Sequence, residues 1–90
     1  MSIKIELTIV NNLGLHARAS AKMTQTAALF PCEVWLSARG KRINGKSIMG
    51  VMMLAAGKGT PLTVETIGEQ EVEAAKAIAE LVNGFFGEGA

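Results

Sequence analysis

The chain has 90 residues, 49% of them apolar and 19% charged, with a net charge of +1 at pH 7. This balance fits one folded domain over residues 1–90 and not a disordered segment. The charge is thinly spread, with only Arg39, Lys41 and Arg42 close together, so a broad phosphate-backbone footprint is excluded and nucleic acid is not an expected partner. No apolar stretch is long enough to span a bilayer, and the single Cys32 has no internal disulfide partner, so a cytoplasmic protein without membrane insertion is expected.

Ile3, Ile5, Leu7 and Ile9 alternate with Lys4, Glu6 and Thr8, the period of two of a half-buried strand. Gly14-Leu15-His16-Ala17-Arg18-Ala19-Ser20 follows, holding the only histidine between that strand and the first segment with helical spacing. A helix that begins just after His16 puts an imidazole beside unpaired N–H groups and the positive end of the dipole, a place that holds anions. Arg18 adds a permanent charge and a planar donor fork suited to phosphate oxygens. The bland alternative is a surface histidine beside a helix cap.

Over residues 17–30 the candidate inward positions are Ser20, Met23, Ala27 and Phe30, one face of a helix that Pro31 ends. Cys32, Val34 and Leu36 alternate with Glu33, Trp35 and Ser37, and a turn at Arg39-Gly40 returns the chain through Ile43 as a hairpin. Asn44-Gly45 breaks the pattern, and Ser47 stands as N-cap ahead of a short helix over residues 48–56. Ile48, Met49, Val51, Met52, Met53 and Leu54 make that helix apolar almost all round, more than one buried stripe requires. Gly57, Gly59 and Pro61 bracket a loop before a strand over residues 62–67. Glu69, Glu71 and Glu73 crowd the start of a last helix with Val72, Ala75, Ala79 and Val82 as its apolar stripe, and Asn83-Gly84 supplies its stop. The order β-α-β-β-α-β-α predicts an α+β open-faced sandwich, a four-stranded antiparallel sheet with three helices on one face.

With these elements placed, nearly the whole chain resembles the histidine-containing phosphocarrier family, HPr, of the bacterial phosphoenolpyruvate-dependent phosphotransferase system. Three segments carry the likeness: Leu15-His16-Ala17-Arg18, Lys46-Ser47-Ile48-Met49-Gly50-Val51-Met52, and Ala56-Gly57-Lys58-Gly59. The resemblance implies that His16 accepts phosphate on Nδ1 from phospho-enzyme I and passes it to enzyme IIA domains, with Arg18 positioning the group and no metal in the transfer. It also implies that Ser47 is a regulatory acceptor for an HPr kinase/phosphorylase, and that Ile48, Met49 and Met52 touch partners. Such a protein is a carrier with a phosphohistidine intermediate, not a stand-alone catalyst, and monomer is the expected state. Ala19 departs from the family, which usually has proline directly after the arginine.

Two other classes fit the same elements. One is a regulatory module that docks its Ser47 and methionine face onto transporters, kinases or transcription regulators. The other is an RNA-binding α+β module, for which Trp35, on the outward side of its strand, is the single stacking candidate.

Overall fold

The computed structural model describes all 90 residues. Four strands, β1 (Ser2–Thr8), β2 (Glu33–Ala38), β3 (Lys41–Asn44) and β4 (Pro61–Ile67), form one sheet in the order β1-β4-β2-β3. Every pairing is antiparallel, with Ile5 opposite Val64, Leu36 opposite Val64 and Leu36 opposite Ile43. Three helices, α1 (Ala17–Ala28), α2 (Ile48–Met53) and α3 (Glu71–Asn83), cover one face, and a 3-10 turn at Phe85–Gly87 follows α3. This is the α+β open-faced sandwich expected from the element order.

The alternation in the strands decides which face is covered. Val34, Leu36, Leu62 and Val64 are buried and meet Met23 and Ala27 of α1, Val51 of α2, and Ile78 and Val82 of α3 in a single core. The opposite face stays open. There the Arg42 guanidinium lies 4.1 Å from the centre of the Trp35 ring and 3.3 Å from a Glu65 oxygen. The one aromatic candidate for base stacking is thus already covered by a cation. Cys32 sits in the core, where burial pushes its thiol pKa up.

Element boundaries differ from the sequence expectation where side chains distant in the sequence intervene. Helix α1 ends at Ala28, two residues before the apolar spacing does, because a residue preceding proline is pushed out of helical geometry and Phe30 precedes Pro31. The Lys46 ammonium takes up the Phe30 carbonyl at 2.7 Å. Helix α2 is a six-residue helix that stops at Met53, because Ala55 adopts φ +49° and Arg39 donates to the Leu54 and Ala55 carbonyls at 2.5 and 3.0 Å. Arg39, Arg42 and Lys46 thus all have partners within the fold.

The apolar stripe of α3 is also displaced. Ala74, Ala75, Ile78 and Val82 are buried, Ala79 is only half-buried, and Val72 is 59% exposed. The entry to the helix is fixed from outside: Thr66 Oγ1 donates to the Glu71 carbonyl at 2.7 Å, and the Gly68 N–H donates to Glu71 Oε1 at 2.9 Å. With the first turn held that way, Val72 faces water.

Candidate functional site

His16 is the N-cap of α1, in extended geometry with ψ −179°. Its carbonyl accepts the Ser20 N–H at 2.8 Å, the first bond of the helix, and its Nδ1 accepts the Arg18 N–H at 3.3 Å. The cap bond is long and therefore weak. The imidazole thus stands at the positive end of the dipole with Nδ1 turned toward the first helical turn. The N–H groups of Ala17 and Ala19 find no acceptor within the protein. Ala19 itself is fully buried.

The loop that presents His16 rests on the segment after α2. Gly14 has φ +65°, and a Cβ there would lie 2.5 Å from the Ala56 carbonyl oxygen and 2.8 Å from the Gly57 Cα. Leu15, next in the chain, donates its N–H to that same Ala56 carbonyl at 2.9 Å. The Ala56-Gly57 pair singled out in the sequence is therefore the bed of the histidine loop, and only glycine fits at position 14.

The ring's second nitrogen has a partner the sequence did not reveal. His16 Nε2 lies 2.5 Å from Glu88 Oε2, and Asn11 Nδ2 donates to Glu88 Oε1 at 3.0 Å and to the Gly14 carbonyl at 2.9 Å. The His16 and Glu88 side chains are 29% and 14% exposed, so the pair lies at the rim of the protein. The Asn11 and His16 hydrogen bonds hold the Glu88 carboxyl below the usual carboxylate range. Glu88 is brought back by a hook: Phe85, Phe86 and Gly87 all have positive φ, the Phe86 ring is completely buried, and Lys22 Nζ donates to the Phe86 carbonyl at 2.6 Å. Two phenylalanines between glycines beyond a helix stop signal an anchored tail, but not where it returns.

His16, Arg18, Lys22 and Glu88 line one shallow hollow together with Asn12, Leu13, Ala17, Gly87 and Ala90. Arg18 is exposed and makes no ion pair, so its fork is free for an anion. A partly exposed nucleophilic nitrogen, a free guanidinium and unpaired helix N–H groups make an arrangement that can receive and release a phosphoryl group at the surface. No group of three or more His, Cys, Asp or Glu side chains is placed to hold a metal ion.

Ser47 and the methionines lie outside this hollow. Ser47 is the N-cap of α2, its Oγ accepting the Gly50 N–H at 3.1 Å, and it is exposed. Ile48 and Met52 are each 41% exposed, Met49 67% and Met53 65%, whereas Val51 and Leu54 are buried. A helix apolar all round thus resolves into a buried edge and an exposed apolar edge.

Residues 3–84 match the sequence model of the family described as PTS HPr component phosphorylation site. The chain is 58% identical over 87 residues to the phosphocarrier protein HPr of Neisseria meningitidis serogroup A, covering 97% of this chain and 98% of that one. It is 56% identical over 85 residues to the corresponding protein of Pseudomonas putida, covering 93% and 94%. Among solved structures, HPr from Thermoanaerobacter tengcongensis superposes with a TM-score of 0.92 at 38% identity, covering 96% of this chain and 97% of that one.

Proposed function

The chain belongs to the HPr family of phosphocarriers of the phosphotransferase system, and on that premise we propose that His16 is its phosphoryl acceptor, through Nδ1. The donor in this reading is phospho-enzyme I and the recipients are enzyme IIA domains. The observation that carries the assignment is the pose of the ring. Nδ1 faces an N–H donor and so presents a lone pair, while Nε2 faces a carboxylate and so carries the proton.

The transfer follows from these contacts. The long bond from the Arg18 N–H is easily given up, leaving the Nδ1 lone pair to attack phosphorus as the bond to the donor's leaving atom breaks. The Ala17 and Arg18 N–H groups and the Arg18 guanidinium then stand ready for the phosphoryl oxygens. Because these donors are few and open to water, they hold the group without trapping it, as a carrier in a chain of near-balanced transfers requires. In-line attack between two proteins also needs the acceptor at a surface, which suits a ring 29% exposed.

Ser47 is the second acceptor in this proposal, for an HPr kinase/phosphorylase. Its exposed hydroxyl is accessible, and a dianion at a helix N-terminus is favoured by the dipole, so modification leaves α2 folded. Added charge beside Ile48, Met49 and Met52 would repel acidic surface on enzyme I and slow loading of His16. The exposed edge of α2 is the docking face, where flexible methionines repack against successive partners. The same edge supports the second reading, a regulatory module acting mainly through Ser47 and the methionines.

The experiment is incubation with enzyme I and phosphoenolpyruvate, then intact mass at neutral pH and after acid treatment, with His16→Ala alongside. An acid-labile phosphate adduct present in the wild type and lost in the variant is the expected result. No adduct, with an enzyme I competent on another carrier, sinks the carrier reading and favours the docking module.

A further inference from the structure

Resting on the reading of His16 as acceptor, we propose that Glu88 is a positioning residue for phosphoryl transfer. It keeps the ring proton on Nε2, so that Nδ1 is the nucleophile, and it balances the positive charge the ring gains when Nδ1 is phosphorylated.

Three observations converge on this. The two ring nitrogens meet opposite chemistry: the Arg18 N–H at Nδ1 can only donate and the Glu88 carboxylate at Nε2 can only accept, so a neutral ring is held as a single tautomer. The carboxylate is itself oriented, because Asn11, fully buried and bonded to the Gly14 carbonyl, grips its other oxygen. The segment that delivers Glu88 is fixed at a cost, with Phe85 and Phe86 both in the left-handed region and held there by burial of the Phe86 ring and by Lys22 on its carbonyl.

The Nδ1 lone pair forms the N–P bond while the bond from phosphorus to the phosphorylated donor breaks, its electron pair leaving with the donor. The proton stays on Nε2, so the ring becomes a phosphoimidazolium whose positive charge faces Glu88. In the onward transfer the recipient's nucleophile forms its bond to phosphorus as the N–P electron pair returns to Nδ1, and the ring leaves as a neutral imidazole. This is the role a buried carboxylate plays for a catalytic histidine in a hydrolase triad, transferred to a carrier. The other charges facing the ring are Arg18 and Lys22, both lining the hollow, with Lys58 on its edge through Asn12. All three are cations, so among the ionisable side chains lining the hollow Glu88 is the one that favours a positively charged ring.

The test uses the full chain with Glu88→Gln, which keeps an acceptor but removes the charge, and Glu88→Ala, which removes both. Nitrogen-15 spectra of the neutral His16 ring should show a single Nε2–H tautomer in the wild type and a mixture in Glu88→Ala. Loading by enzyme I should fall about five- to tenfold in Glu88→Ala, the effect of one charge-assisted hydrogen bond at a partly buried site. In Glu88→Gln the pH profile of phosphohistidine hydrolysis should move toward lower pH, because the phosphorylated ring loses the counter-charge that Glu88 supplies at Nε2. A purely structural role would leave that profile in place. Wild-type tautomer, loading rate and hydrolysis profile in both variants would overturn the proposal. Failure of the wild type itself to take up phosphate would overturn the carrier reading together with this one, and is told apart by the wild-type arm.

Discussion

Replacing Gly14 by alanine tests whether the bed under the histidine loop sets both stability and chemistry. An added Cβ has to move from 2.5 Å to the 3.4 Å of ordinary contact with the Ala56 carbonyl oxygen, a shift of about 0.9 Å. The loop is tied to that same oxygen by the Leu15 N–H, and the shift stretches this bond from 2.9 Å toward about 3.8 Å, beyond a useful hydrogen bond. Leaving the Leu15 N–H unpaired costs about 1–3 kcal/mol, and left-handed geometry for an L residue adds about 1 kcal/mol, so the variant should lose about 2–4 kcal/mol. Gly57→Ala is the matched control, because a Cβ there meets nothing within 4 Å. Urea unfolding measures the loss. Displacing His16 by close to an ångström should also slow loading by up to about 100-fold. Gly14→Ala with a stability within about 0.5 kcal/mol of Gly57→Ala and an unchanged loading rate would refute the argument.

Ser47→Ala should destabilise the fold by about 1 kcal/mol through loss of the α2 cap, whereas Ser47→Asp keeps a capping oxygen, so denaturant midpoints near wild type with slower loading are expected for it. Ala19→Pro should raise stability by about 0.4–1 kcal/mol, since the Ala19 N–H makes no bond to be lost and proline restricts the unfolded chain; a fall in the thermal midpoint would show that the ring does not fit the buried site. Because the folded-state Glu88 carboxyl is held below its ordinary value, its contribution to stability is fully present above that ordinary value, about 4.5. It is lost as pH falls through the lowered one. Urea midpoints between pH 6 and pH 3 should therefore drop less steeply in Glu88→Gln than in the wild type. Parallel curves would sink this assignment.

How much could be read in advance depended on how local each cause is. The alternation at Ile3, Ile5 and Leu7, the spacing of Ser20, Met23 and Ala27, and the cap at Ser47 were legible because each is a pattern within a few residues, and the structure repeats them. The site was half legible. His16 and Arg18 stand together because the chain makes them neighbours. Val72 misled, since its place on the helix is set by Thr66 and Gly68 bonds made before the helix begins.

The sequence alone determined the element order, the antiparallel sandwich, and a histidine at a helix N-terminus beside an arginine, all from periods and caps that act over one or two turns. Only the tertiary structure decided the rest: that Ala56 and Gly57 form the bed of the loop, that Arg39 and Lys46 close helices to which they do not belong, and that Glu88 meets a ring 72 residues away. Such contacts leave no periodic trace, because they depend on where two packed elements end in space. In the case of Glu88 they also need Phe85 and Phe86 in a backbone conformation that their own side chains disfavour and that burial of Phe86 offsets.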